Sequence, residues 1–242
     1  MAATQPDSPL PIKIGIVIFP GFQLLDYAGP LDAFNILSNS NTLSLSTIAY
    51  NTSPIPTQNF VQNKQGSDFS QSIVPTHTFD NAPDDLDVLL LPGGLGARDA
   101  ESDVYMAPQV EFLKRYLGKE RADGKGFEGE GKKLKWVLTV CTGSEILART
   151  GLLDGRRATT NKRAYNEVKK LHPQVNWVSK ARWVVDGSIW TSSGISAGID
   201  LTFAWMAEVF GEEIAQFVAD RSEYERNTDA GNDRYAERWG AI

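Results

Sequence analysis

The sequence predicts an α/β protein, built on a mainly parallel sheet with helices on both faces. Three observations carry this. IKIGIVIF (12–19), LDVLLLPGG (86–94) and LKWVLTV (134–140) begin or run as continuous apolar stretches, the pattern of strands buried on both sides. These runs alternate with segments of helical character, as repeated strand–helix units require. The chain has 242 residues, of which 41% are hydrophobic, enough for one sizeable packed core.

Taken in order, residues 1–11 are rich in Pro and Ser and read as a disordered lead-in. A single domain is expected over 12–225, followed by a polar tail at 226–242 with a late aromatic at Trp239. After the first strand, PGFQLLDYAGPLDAFNIL reads as a helix from about Leu31. LSLSTIAY (43–50) is a second strand. Residues 51–75 are polar and turn-rich, with strand-like pieces around Phe60 and Ile73 that suit a hairpin or an irregular excursion. The 86–91 strand ends in Pro-Gly-Gly, and 104–117 reads as a helix. GKERADGKGFEGEGKK (118–133) is glycine-rich and charged, and is expected to be a surface loop with too little apolar matter to bury anything. After the 134–140 strand come a short helix at about 143–149, a helix at 162–171, and a hairpin turning at Asp186-Gly187. Helices at 197–210 and 212–225 close the domain, the first largely apolar and the second amphipathic.

Composition excludes several function classes. The net charge is −6 with Lys and Arg dispersed, so no basic patch suggests nucleic acid. No apolar run approaches the ~18 residues of a membrane helix. No signal sequence or C-terminal anchor is recognisable, and a cytoplasmic protein is expected. One cysteine forbids an internal disulfide or a multi-cysteine metal centre. His77 and His172 stand apart, with no metal-ligand spacing, so no metal is expected.

In open α/β sheets, sites gather at the carboxyl ends of the strands. Cys141 sits there, between an apolar strand and Thr142-Gly143-Ser144. A sharp turn would lift its thiol towards the start of a helix, whose dipole and N–H groups favour thiolate and developing negative charge. A buried, inert cysteine is the competing reading. Asp26 follows the first strand and would share that edge, where a carboxyl can exchange protons with a thiol or a substrate. A helix cap or turn aspartate is its competing reading. Gly93 and Gly94 bring backbone N–H groups near a ligand or simply make a tight turn. His172 is expected to be solvated, and Glu145 to favour a helix start. Phe22, Trp183 and Trp190 suit a pocket wall, but core packing is the expectation for each.

The segments LPGG, VCTGSEILARTGLLDGRRATT and SSGISAGIDLTFAWMAEVFG, together with FPGFQLLDYAGPLDAF, resemble the DJ-1/PfpI superfamily, the class I glutamine amidotransferase-like proteins, from about residue 12 to 225. Within it the resemblance is strongest to the isocyanide hydratase branch, through Asp26 in LD-x-x-GP, Cys141-Thr142 and the stretch Gly194 to Asp200. The resemblance implies a flavodoxin-like sandwich, a homodimer, a small-molecule substrate, and chemistry with no cofactor. It implies hydration of R–N≡C to an N-substituted formamide, with Cys141 as nucleophile and Asp26 as proton partner. Gly93, Gly94, Thr142 and Ile195 would line the substrate site. Asn161 stands where many relatives carry His, and Thr142 where other branches carry His, which favours a Cys-Asp site over a Cys-His pair. Relatives among bacterial regulators carry a C-terminal helix-turn-helix, which this chain is expected to lack. A glyoxalase- or deglycase-like enzyme acting on α-oxoaldehydes and a non-enzymatic cysteine redox sensor are the alternatives.

Overall fold

The computed structural model describes residues 12–58, 65–98 and 102–241. The expected lead-in at 1–11 and the strand-like piece at Phe60 lie outside them. Strand β1 (Ile12–Val17) leads into helix α1 (Leu24–Leu37) and then β2 (Leu43–Ala49). A small antiparallel hairpin pairs β3 (Ile55–Pro56) with β4 (Ser72–Ile73), and β5 (His77–Thr78) and β6 (Val88–Leu91) follow. A 3₁₀ turn at Leu95–Ala97, α2 (Ser102–Tyr105) and α3 (Ala107–Leu117) lead to β7 (Trp136–Thr139) and α4 (Gly143–Ala148). Next come β8 (Arg157–Ala158), α5 (Tyr165–Leu171), β9 (Asn176–Trp177) and the hairpin of β10 (Trp183–Asp186) with β11 (Ile189–Ser192). Helices α6 (Ser196–Phe210), α7 (Glu212–Arg221) and α8 (Tyr235–Arg238) complete the order.

The main sheet runs β10-β11-β7-β6-β1-β2-β5, parallel except for the β10–β11 pair. Helices flank both faces, giving the flavodoxin-like sandwich expected of the sequence. The chain leaves β1 towards β2 on one side and returns to β6 on the other. That reversal opens a crevice at the carboxyl ends of β1 and β6, where α/β sheets bind ligands. The all-apolar runs explain the centre of the sheet: β6 is buried along its whole length, and β7 everywhere but Trp136 at its start, because helices cover both faces. Phe22, Trp183 and Trp190 are buried in this core.

Several elements differ from the sequence reading. Helix α1 begins at Leu24 rather than near Leu31, with Pro30 inside it. A proline in a helix interior costs about 3 kcal/mol. Tertiary packing offsets it here, since a Cβ on Gly29 would lie 2.7 Å from Ile199 Cγ1 of α6. Asp26 therefore stands in the first turn of a helix and not in a preceding loop.

The 118–133 segment is not bare surface. Phe127 is only 1% exposed and pairs its backbone with Glu120. The Glu120 carboxylate also accepts the Ser188 N–H at 2.7 Å and pairs with Arg156. A single aromatic, placed where the loop doubles back, provides the anchor that the loop's composition hides.

The residues after Arg226 are likewise fastened. Asp200 is 1% exposed and ion-paired with Arg182 at 2.6 Å, and it accepts the Tyr224 hydroxyl and the Asn227 N–H, each at 2.9 Å. Arg182 N–H donates to the Ala230 carbonyl, and Asn166 Nδ2 to the Gly240 carbonyl, both at 2.8 Å. The polar residues of this segment are spent on buried partners, which is why its composition reads as a solvated tail. Among the described residues, no helix is long and apolar enough to cross a membrane.

Candidate active site

Cys141 leaves the end of β7 with φ 59°, a left-handed conformation that non-glycine residues adopt rarely. Its backbone is held there from both sides. Its N–H donates to the Ser193 carbonyl at 3.0 Å, and its carbonyl accepts the Ser144 and Thr160 hydroxyls at 3.2 Å. The next residues turn at once into α4, and a Cβ on Gly143 would lie 2.1 Å from the Leu91 carbonyl oxygen. Only glycine lets the turn pass this close to β6. The result is a strained strand-to-helix corner that presents the sulfur at the crevice, the kind of strain that gathers at working sites.

Three N–H groups converge on the sulfur. Asn161 Nδ2 lies 3.1 Å from Sγ, and the backbone N–H groups of Thr142 and Ile195 also donate to it. Asn161 is oriented by its own carbonyl, which accepts the Arg163 and Ala164 N–H groups at 2.9 and 3.2 Å. That leaves only its amide nitrogen to face the thiol. Ile195 is the second strained residue of the site, with φ 44° at the start of α6. A β-branched side chain in that region is a marked outlier, and the strained backbone aims its N–H at the sulfur.

Asp26 is fully buried. Its Oδ2 accepts the Gly93 N–H at 3.0 Å, while Oδ1 is buried without a conventional hydrogen-bond partner. The Gly93 backbone also presses on the nucleophile turn: a Cβ there would meet Thr142 N and Oγ1 at 2.5 Å. Gly94 donates its N–H to Thr142 Oγ1 at 3.1 Å. Both glycine N–H groups are thus engaged within the protein. They brace Asp26 and Thr142. The donors that surround the sulfur come instead from Thr142, Ile195 and Asn161.

Burial dominates the electrostatics. It raises the Asp26 carboxyl from an ordinary 3.8 to about 7, against the Gly93 N–H and the Cys141 thiol, which both favour the ionised form. Burial and the Asp26 charge push the Cys141 thiol up to about 12, against its three N–H donors. The helix start does favour thiolate, as the sequence suggested, but desolvation and the neighbouring carboxylate outweigh it. Above about pH 7 the two groups together hold one proton, and their titration belongs to the pair.

The sulfur opens into a cavity of about 390 Å³ that includes Gly94, Thr142 and Ile195 in its wall. Asn161, Arg163, Tyr235 and Trp239 are among the further wall residues that escaped the sequence reading as pocket residues. Asn161 had a signal, standing at a histidine position of relatives. Tyr235 and Trp239 had none, because only the folded-back C-terminal segment brings them in. Lys162 also borders the cavity, but its Nζ turns inward to Thr159 Oγ1 and the Ala181 carbonyl, each at 2.6 Å. Burial lowers its pKa to about 8. A second cavity, of about 480 Å³, lies against Pro20 and Gly96, and its apolar lining holds no nucleophile.

Neither histidine reaches the sulfur. His77 is on the edge strand β5 beside Thr76. His172 is not solvated as expected: its Nε2 lies 3.1 Å from Glu145 Oε1, which also accepts Arg149 Nε at 2.8 Å. Glu145 is thus the centre of a buried structural cluster beneath the nucleophile helix. No group of three or more His, Cys, Asp or Glu side chains among the described residues is arranged to hold a metal ion.

A parallel-sheet sandwich with a lone cysteine on a strained strand-to-helix corner, facing a buried carboxyl, defines a class of cysteine-centred α/β proteins. The chain belongs to the DJ-1/PfpI family, whose sequence profile matches residues 125–208. It is 31% identical over 214 residues to an isonitrile hydratase of Pseudomonas putida, covering 88% of this chain and 78% of that protein. A deglycase of Pyrococcus abyssi is 34% identical over 128 residues, 52% of this chain and 61% of its own length. The crystal structure of a ThiJ/PfpI family protein from Pseudomonas syringae superposes with a TM-score of 0.66 at 26% identity, over 94% of this chain and 83% of that one.

Proposed function

We propose that this protein adds water to an isocyanide to give an N-substituted formamide, through a covalent thioimidate on Cys141 and without metal or organic cofactor. The observation that carries the reading is the buried Asp26–Cys141 pair, which retains one proton near neutral pH beside three N–H donors on the sulfur. Hydration needs both a nucleophile and a proton donor at one carbon. A carboxyl whose pKa is raised to about 7 supplies the second role at neutral pH. The isonitrile hydratase relative supports the same substrate class.

In its reactive tautomer the pair holds a Cys141 thiolate and a protonated Asp26. Sulfur bonds to the isocyanide carbon, and the Asp26 proton passes to that same carbon, giving R–N=CH–S–Cys and an Asp26 carboxylate. Water then adds to the thioimidate carbon. Asp26 takes one water proton and delivers it to nitrogen. The C–S bond breaks, and the remaining hydroxyl proton returns to sulfur as R–NH–CHO departs. Dividing the hydration into two additions is the advantage of covalent catalysis. Asn161 and the Thr142 and Ile195 N–H groups stabilise the thiolate before attack and as it leaves.

The test is steady-state hydration of cyclohexyl and para-nitrophenyl isocyanide, with Cys141→Ala as control. Turnover that disappears in the variant is expected. Turnover that survives it would remove the covalent route. An absence of turnover in the wild type, with glyoxals consumed instead, would transfer the site to oxoaldehyde chemistry.

A further inference from the structure

The mouth of the cavity is positively charged in a protein whose net charge is −6. Arg98, Lys162 and Arg163 border it, and no acidic side chain among the described residues does. Two of these cations are already committed. Arg98 is ion-paired with Glu167, and the Lys162 ammonium donates into the protein interior. Arg163 differs: it is exposed, and its guanidinium has no carboxylate partner among the described residues.

Arg163 is nevertheless held in place. Its backbone N–H is bound by the Asn161 side chain, whose amide nitrogen touches the reacting sulfur. Its guanidinium lies 5.6 Å from the centre of the Trp239 ring, which is 49% exposed at the rim. A cation stacked on an aromatic keeps its forward N–H groups available, and a guanidinium presents them in the planar fork that fits a carboxylate. The cavity between this fork and Cys141 is walled by Leu95, Ile195, Tyr235 and Trp239, which suit an apolar body.

We propose that the substrate of Cys141 carries a carboxylate at the end remote from its electrophilic carbon, bound by Arg163 at the mouth, with its apolar body covered by Trp239. This rests on Cys141 as the reacting group and narrows the proposed isocyanide to an anionic one. Arg163 and Trp239 are then the residues that determine specificity.

The experiment compares two thiol reagents of nearly equal size, iodoacetate and iodoacetamide, as alkylators of Cys141 in the full-length protein. The rate ratio of the anionic to the neutral reagent cancels any change in thiol ionisation. Arg163→Gln is expected to lower that ratio by about ten-fold, with the difference shrinking as salt is added. Arg157→Gln, an exposed arginine outside the cavity, leaves it unchanged. Arg163→Gln should also lower kcat/KM for 4-isocyanobenzoate, but not for its methyl ester. Equal ratios in wild type and Arg163→Gln would overturn the proposal even if hydration is observed. A shifted ratio without hydration would keep the anionic pocket and remove the hydratase reading. Should Cys141 resist both reagents, calorimetric binding of benzoate against benzamide decides, and equal affinity overturns the proposal.

Discussion

The two ends of the central sheet handle charge in opposite ways. At the amino end, Lys13 pairs with Asp85, Lys132 with Asp84, and Lys135 lies 3.4 Å from Asp87. Most of these groups keep contact with water, so their charge is shared between partner and solvent. At the carboxyl end, Asp26 is fully buried against the Cys141 thiol, and Cys141 and Ile195 hold φ values of 59° and 44°. Exposed ion pairs contribute little and also cost little. Buried acids and left-handed backbone cost stability, and they persist where the fold over-determines them for another purpose. The same sheet thus supports one edge tuned for solubility and another that tolerates strain to keep a proton and a sulfur in register.

The sharpest way to break this contrast is Asp26→Asn. Its kcat/KM for an isocyanide should fall by about 100-fold at pH 7, as expected for loss of a positioned acid. Stability should move the other way at high pH. The folded carboxyl titrates near 7 against 3.8 unfolded, so the native state binds the extra proton between those values. Stability due to Asp26 is therefore full below about pH 4 and lost as pH rises to about 7, by an amount on the order of 4 kcal/mol. Melting curves at pH 5 and pH 8 should show the variant gaining on the wild type at pH 8. Equal gains at both values would mean that Asp26 is ionised throughout.

A pH profile of kcat/KM tests the shared proton directly. The rate should rise about ten-fold per unit up to about pH 7, as the pair loses its first proton, and then level. Asp26→Asn should remove that limb, and a limb that stays at pH 7 would assign it elsewhere. A smaller effect is expected from Asn161→Ala, which removes one donor from the sulfur and should cost about ten-fold in kcat. Retained kcat would leave the two backbone N–H groups as sufficient. The smallest belongs to the opposite edge. Lys13→Met breaks an exposed pair and should change stability by less than about 1 kcal/mol, with activity unaltered. Denaturant unfolding and the hydration assay check both halves.

The parts of this molecule that were legible in the sequence are those whose causes are local. Continuous apolar runs marked β1, β6 and β7, and the Asp186-Gly187 pair marked the β10–β11 hairpin. The order of elements then put Asp26, Gly93 and Cys141 on one edge. What the sequence hid depends on distant partners. The start of α1 was obscured because Gly29-Pro30 looks like a helix beginning, whereas packing on Ile199 carries the helix through it. Tyr235 and Trp239 reach the cavity only because Asp200, Arg182 and Asn166 fasten a segment whose composition reads as solvated. The raised pKa values of Asp26 and Cys141 depend on how deeply the finished fold buries them, and no residue pattern records that depth.

The backbone contacts at Gly93 and Gly143 have a consequence for how this site can change. Side-chain chemistry at Asp26, Asn161 or Arg163 can be exchanged and measured. The backbone frame has no such freedom: a single methyl group at position 93 would lie 2.5 Å from Thr142, and one at 143 would lie 2.1 Å from Leu91. In a randomised library, these two positions should return glycine or nothing, while the residues around them vary. New activities on this scaffold are therefore reached by redecorating the crevice, with the corner itself inherited unaltered.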